Sequence, residues 1–123
     1  MAVNLGHIPG SYIGATLIED TAANATKQIG KASSGTIYQV FIDNTSNSSA
    51  VYLKVYDLAS GSVTVGQTHP DFVFPCPGSG KRQFNFPDGI AFATAFTYAI
   101  TTSPGTAGSS DPSPTPTVRI TIS

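Results

Sequence analysis

GIAFATAFTYAIT, residues 89–101, sets a larger side chain at every second position and a small one between. Ile90, Phe92, Thr94, Phe96, Tyr98 and Ile100 alternate with Ala91, Ala93, Ala95, Thr97 and Ala99. Successive side chains of a strand point to opposite faces, so a strand here presents one large, mostly apolar face and one small, smooth face. The large face, with Phe92 and Phe96, belongs in a core. The smooth face suits close apposition, and the expectation is that it lies beneath the N-terminal segment or against a neighbouring subunit.

Working outward, residues 71–76 (DFVFPC) and 81–86 (KRQFNF) flank Pro77-Gly78-Ser79-Gly80 and read as a hairpin, with Phe84 and Phe86 inward and Lys81, Gln83 and Asn85 outward. Pro75 cannot donate a ladder hydrogen bond, so its strand lies at an edge or ends there. Pro87-Asp88-Gly89 reads as the turn into the quoted strand. Upstream, residues 36–43 (TIYQVFID) and 51–57 (VYLKVYD) lie either side of the polar link NTSNSSA and read as an antiparallel hairpin. In the first, Ile37 and Phe41 share one side and Tyr38, Val40 and Ile42 the other. In the second, Val51, Leu53 and Val55 oppose Tyr52, Lys54 and Tyr56. Residues 58–70 form a longer crossing, with a short strand at 62–65.

The two ends differ from this regular middle. Residues 1–34, broken by Gly6, Pro9, Gly10, Gly14 and Gly30, sustain no period and read as an extended N-terminal arm, with a short strand at 15–18 and a helical turn or two within 20–28. Residues 102–116 (TSPGTAGSSDPSPTP) are a Pro/Gly/Ser-rich linker or long loop, and residues 117–122 (TVRITI) alternate as a strand again. Fifteen extended residues reach about 45 Å, enough for that strand to close its own sheet or to join a neighbour's. Closing its own sheet is the simpler arrangement. With six or seven strands and no convincing amphipathic helix, the expected fold is all-β, an antiparallel β-sandwich of which the jelly roll is one form. It occupies residues 35–123 behind the arm.

Composition narrows the functional classes. Charged residues are 11% of the 123-residue chain, against roughly 25% in an ordinary soluble domain, and polarity comes instead from 14 Ser and 15 Thr. Such a hydroxyl-rich surface is compatible with life inside a large assembly. The net charge is −1 and the six basic residues are scattered, which argues against nucleic acid as a partner. Cys76 is the single cysteine, fitting a reducing cytoplasm and excluding an intramolecular disulfide. The opening MAVNLGHIPG lacks the basic and apolar regions of a secretion signal, and no run approaches about 20 apolar residues, so no membrane partner is expected. Asn24-Ala25-Thr26, Asn44-Thr45-Ser46 and Asn47-Ser48-Ser49 match the glycosylation pattern, and without a secretory route they read as turn chemistry.

No catalytic, cofactor or metal constellation emerges. His7 and His69 have no second His or Cys within a few residues, so the ligand spacing of a metal site is missing. Cys76 shares a strand face with Phe72 and Phe74, which favours a buried, inert thiol over a nucleophile. The acids Glu19, Asp20, Asp43, Asp57, Asp71, Asp88 and Asp111 fall at turns or strand ends, where capping accounts for them. Pro77-Gly78-Ser79-Gly80-Lys81 lacks the spacing and following helix of a phosphate loop. The candidate interaction surface is Tyr52, Lys54 and Tyr56, an aromatic pair around a lysine on one strand face, on which a carbohydrate or protein surface can stack. The competing reading packs them under the arm.

Residues 51–102 resemble small structural proteins of tailed bacteriophages. The shared features are the LKVYD strand, the VTVG…PDFVFPCPGSG crossing, and the FPDGIAFATAFTYAITT run ahead of a Gly/Thr/Pro-rich tail and final strand. This resemblance implies a capsid cement (decoration) protein, a non-enzymatic virion component on the capsid exterior, assembled in the host cytoplasm. Its implied partners are the major capsid protein, whose neighbouring subunits it clamps, and further copies of itself, as a trimer. These motifs are turn and strand patterns, so no functional residue carries over. The arm and residues 102–123 are expected to make the contacts. Two other classes stand beside this one. A receptor- or glycan-binding module of a phage tail or head fibre would use Tyr52, Tyr56 and the hydroxyl-rich loops, and a hydrolase would need an exposed, reactive Cys76.

Overall fold

Strand pairing follows a nested scheme in the computed structural model, which describes residues 15–123. The strands are β1 (Thr16–Asp20), β2 (Gln28–Lys31), β3 (Gly35–Asp43), β4 (Val51–Tyr56), β5 (Phe72–Cys76), β6 (Lys81–Phe92), β7 (Phe96–Thr101) and β8 (Thr117–Ile122). Sheet I has the order β1-β8-β3-β6 and sheet II the order β2-β7-β4-β5. Every pairing is antiparallel. β4 pairs with β5, β3 with β6, β2 with β7 and β1 with β8, and successive pairs fall in alternate sheets. A long hairpin rolled up in this way is a jelly roll, so the all-β antiparallel sandwich read from the sequence is the fold the chain adopts.

The core lies between the sheets. Ile37, Val40 and Ile42 of β3, Val118, Ile120 and Ile122 of β8, Leu53 and Val55 of β4, and Phe92, Phe96 and Ile100 are buried there. Each such side chain contributes about 1.5–3 kcal/mol by leaving water. β8 lies inside its own sheet between β1 and β3, which is the simpler of the two closures expected. Phe84 packs against the core while Lys81, Gln83 and Asn85 are exposed, as the alternation requires.

Several local readings are corrected. The expected hairpins at 36–57 and 71–86 are crossings between sheets, because β3 and β4 lie in opposite sheets, as do β5 and β6. A two-residue turn would have enforced pairing, whereas these longer links can span the roughly 10 Å between sheets. Asn44 holds the first link, donating from Nδ2 to Ser49 O (2.9 Å) and Pro77 O (3.0 Å). Gly78 of the second link passes so close to Ser48 O that a Cβ would clash. Pro75 does fall on an edge strand, β5.

The quoted run is two strands. β6 ends at Phe92 and β7 starts at Phe96 in the other sheet, with both phenylalanines still inward at a ring separation of 5.5 Å. Asp57 fixes the crossing by accepting the N–H groups of Ala93 (2.8 Å), Thr94 (2.7 Å) and Ala95 (3.2 Å). The turn expected at Pro87-Asp88-Gly89 is instead a bulge inside β6. Ile37 pairs with Ile90 and Gln39 with Asn85, so four residues of β6 stand opposite Tyr38, and Gly89 supplies the needed φ of 76°. At the same place β3 carries one extra residue against β8. That extra residue resets the alternation: Ile37, Val40 and Ile42 all face the core, and Phe41 turns outward.

The described part of the expected arm, residues 15–34, supplies an edge strand to each sheet. No helical turn forms at 20–28. Asp20 Oδ1 accepts Ala22 N–H and Asn24 Oδ1 accepts Thr26 N–H, so short Asx turns replace it. Residues 1–14, including His7, lie outside the described residues. The crossing at 58–70 holds one 3₁₀ turn, Ser60–Ser62, in place of the expected strand.

Candidate functional surfaces

The expected interaction surface is covered. Tyr52, Lys54 and Tyr56 do face away from the core, yet Lys54 and Tyr56 are fully buried and Tyr52 is half-buried. Two loops lie over the outer face of sheet II. Lys54 Nζ donates to Gly105 O (2.6 Å) and Gly108 O (2.8 Å), and burial pushes its ammonium below the usual lysine value. Thr97 Oγ1 donates to Leu58 O at 2.7 Å, and His69 Nδ1 meets Thr106 Oγ1 at 2.9 Å, tying the two loops together. The expected linker at 102–116 is therefore a packed cover. The small residues Thr97, Ala99 and Thr101 make the bed on which it lies, so in β7 the smooth face of the quoted run meets the chain's own loops, while Ala91 and Ala93 are exposed. Ala99 opposite Lys54 is the sequence signal for this, since a lysine stem beside an alanine leaves a trough that a loop can fill.

Most of the remaining chemistry-bearing residues have structural partners. Asp20 Oδ2 accepts the Tyr98 hydroxyl at 3.0 Å; burial, then the Asp20 charge, then this hydrogen bond raise the phenol far above its ordinary value. Asp43 accepts from the N–H and Oγ1 of Thr45, Asp71 from Asp57 N–H, and Asp111 from Ala25 N–H. Burial would raise the Asp57 carboxyl, but its three backbone donors outweigh that and hold it below the usual value. Cys76 is buried, with Sγ near Gly80 O and Ile42 O, and desolvation raises its thiol. No cluster of three His, Cys, Asp or Glu that could hold a metal occurs among the described residues, and no described helix is long and apolar enough to cross a membrane.

Two surfaces remain open; the first lies in the segment expected to make contacts, and the second was not singled out from the sequence. One is the β1–β2 side of the sandwich, where Leu17 is 59% and Ile29 60% exposed. Gly30 of β2 lies against Ile18 of β1, so the two edge strands adjoin there. The other is the outer face of sheet I. Across it run the rows Glu19-Arg119-Phe41-Gln83 and Leu17-Thr121-Gln39-Asn85. Arg119 bonds Glu19 at 2.6 Å and stands over the Phe41 ring at 5.6 Å. At the doubled bulge this face opens into a cleft of about 310 Å³ lined by Tyr38, Gln39, Asn85, Phe86, Pro87 and Thr121. Comparison with family models, curated proteins and solved structures finds no match for this chain.

Proposed function

We propose that this chain is a virion structural protein of the capsid-cement kind, attached by the β1–β2 side of its jelly roll. The observation that carries the reading is that Leu17 and Ile29, the exposed large hydrophobics among the described residues, lie on neighbouring edge strands, Leu17 on the outer face of sheet I and Ile29 on that of sheet II, so a partner that grips this edge from both faces meets both. An open sheet edge is normally guarded by charge, proline or a bulge. The opposite side has all three, with Pro75 on β5 and Lys81, Arg82 and the 86–89 bulge on β6. On the β1–β2 side β2 also has a bulge after Ile29, but the acids of β1 are held by Arg119 and Tyr98 and the nearby lysines are turned inward. Lys27 donates to Ser60 O and Val63 O, and Lys31 to Ser123 O. That side has the character of a surface meant to be covered.

Residues 1–14 join the chain at β1 and extend the attachment, since a specific interface needs about 800 Å² per partner and two short edge strands offer less. The low charge and the resemblance of residues 51–102 to phage structural proteins point the same way. The partner is the major capsid protein, and many symmetric copies on one shell multiply a modest single contact. Preference for the mature shell would stabilise it by linkage.

The test is co-sedimentation of the purified protein with mature shells stripped of it. Saturable binding is expected for the full chain, weakened at least about tenfold by Leu17→Lys with Ile29→Lys and by removal of residues 1–14. A folded full chain that leaves the shells bare would overturn the reading. Removing residues 102–123 is no test, because it would take β8 out of the middle of sheet I.

A further inference from the structure

A second open feature has the chemistry of a ligand site. At one end of the sandwich, a cleft of about 430 Å³ is lined by residues 46–51, Thr102 and residues 111–114. It has no aromatic platform. Its Asn47 amide already donates to Asn44 Oδ1 and Pro114 O. The sheet I cleft differs on both counts.

That cleft exists because two irregularities coincide. β3 has an extra residue against β8 while β6 swings residues 86–89 out of register, so the sheet surface parts around Tyr38. Tyr38 and Pro87 give it ring-bearing walls, Phe86 lines it while its ring packs inward on Phe74, and Gln39, Asn85 and Thr121 give it neutral polar groups. Gln39 Nε2 and Gln83 Nε2 both donate to Asn85 Oδ1, at 3.0 and 3.1 Å. Both lone pairs of that oxygen are thereby engaged. Among the described residues, the Asn85 amide nitrogen is left as a donor and Gln39 Oε1 as an acceptor, side by side on adjacent strands with the Thr121 hydroxyl next in the row.

We infer that this cleft binds one or two neutral pyranose units of a glycan. Aromatic and proline rings can lie against the C–H face of a sugar, and a fixed neighbouring donor and acceptor match a pair of vicinal hydroxyls. No Lys, Arg, Asp or Glu lines the cleft, which disfavours phosphate, nucleotide and acidic ligands. Its volume sits at the small end of ligand sites, fitting a mono- or disaccharide in place of a long chain. A proline-rich peptide also uses aromatic grooves, but it needs a run of successive aromatic ridges, and here the rings give way to amides within one residue row. The cleft draws no residue from β1 or β2, although Leu17 stands beside Thr121 in the same row, and a titration of the chain without shells tests it apart from attachment. On a many-copy surface even millimolar single-site binding would serve for adhesion, through multivalency.

The experiment is a ¹H–¹⁵N NMR titration of the full chain with methyl glycosides of glucose, galactose and mannose, with N-acetylglucosamine, and with a proline-rich peptide as competitor class. At least one sugar should give saturable shifts centred on Tyr38, Gln39, Asn85 and Thr121, with Kd of about 1–10 mM. Asn85→Ala and Gln39→Ala, each at an exposed or half-buried position, should weaken it about tenfold while the core-strand amide shifts remain unchanged. No saturable shift with any sugar, equal binding by Asn85→Ala, or shifts at these residues only with the peptide would each overturn the assignment.

Discussion

The outer faces of the two sheets are finished in opposite ways. Sheet II is roofed over β4 and β7 by the chain itself, and its outward residues there include the small Thr97, Ala99 and Thr101, the buried Tyr56, and Lys54, which reaches backbone carbonyls. Sheet I is left open, and its outward residues satisfy one another in water through Glu19 with Arg119, Arg119 with Phe41, and Gln39 and Gln83 with Asn85. A face to be roofed needs low relief and a donor for the loop, since a loop has no side-chain pattern of its own with which to dock. An open face needs pairs that tolerate solvent. In this molecule, surface available for binding belongs to sheet I and to the β1–β2 side.

The strongest way to break this arrangement is at the crossing between the sheets. Asp57→Ala removes an acceptor from three backbone N–H groups and should cost about 2 kcal/mol in urea unfolding, with Asp57→Asn losing roughly half of that. The carboxyl titrates below its ordinary value of 3.8 in the folded chain. Its stabilisation is therefore fully present above that value and lost as pH falls through the lower, folded value. Wild type and Asp57→Ala should differ at pH 6 and converge at strongly acid pH. A gap unchanged down to pH 2 would show that the carboxylate charge is not what holds the turn.

A local change comes next. Lys54→Met keeps the stem and removes the ammonium, so the loop loses two charge-assisted hydrogen bonds while the desolvation cost of the charge disappears with it. The net effect should appear in the roof alone, as about 10- to 100-fold faster hydrogen exchange at Thr102 and Gly108, whose N–H groups bond Ser110 O and Gly105 O. The same exchange should stay slow at Leu53 and Ile100. By contrast, Arg119→Met on the open face should shift stability by less than about 1 kcal/mol, because its ion pair is screened.

How far the sequence foretold this depends on the kind of signal. Strands that keep strict alternation, such as β8, declared both their existence and their core face, and Phe92, Phe96 and Cys76 fell where their neighbours required. Capping by Asp43, Asp57 and Asp111 was readable because turn chemistry is local. Pairing was not, because the seven-residue link NTSNSSA suits a wide hairpin as well as a crossing. The facing of β3 failed at a single extra residue near Tyr38, since one inserted position inverts everything beyond it. Burial of Lys54 stayed hidden because its partners are backbone carbonyls in a low-complexity segment. The cleft was hidden for a related reason: Pro87-Asp88-Gly89 has turn chemistry, and a bulge uses the same residues.

Tyr56 sharpens the comparison at the smallest scale. It lies on the outer face of sheet II, fully buried, and its hydroxyl has no hydrogen-bond partner among the described residues. Burial accordingly pushes this phenol above its usual value. On an open face that hydroxyl would bond water, whereas under the roof it is desolvated with nothing in exchange, a cost of about 1 kcal/mol or more. Tyr56→Phe removes the unsatisfied group and keeps the ring, so thermal unfolding should be unchanged or shifted upward by a few degrees. A clear loss of stability would show that the hydroxyl is bonded under the roof after all, and that burial on sheet II is as well satisfied as exposure on sheet I.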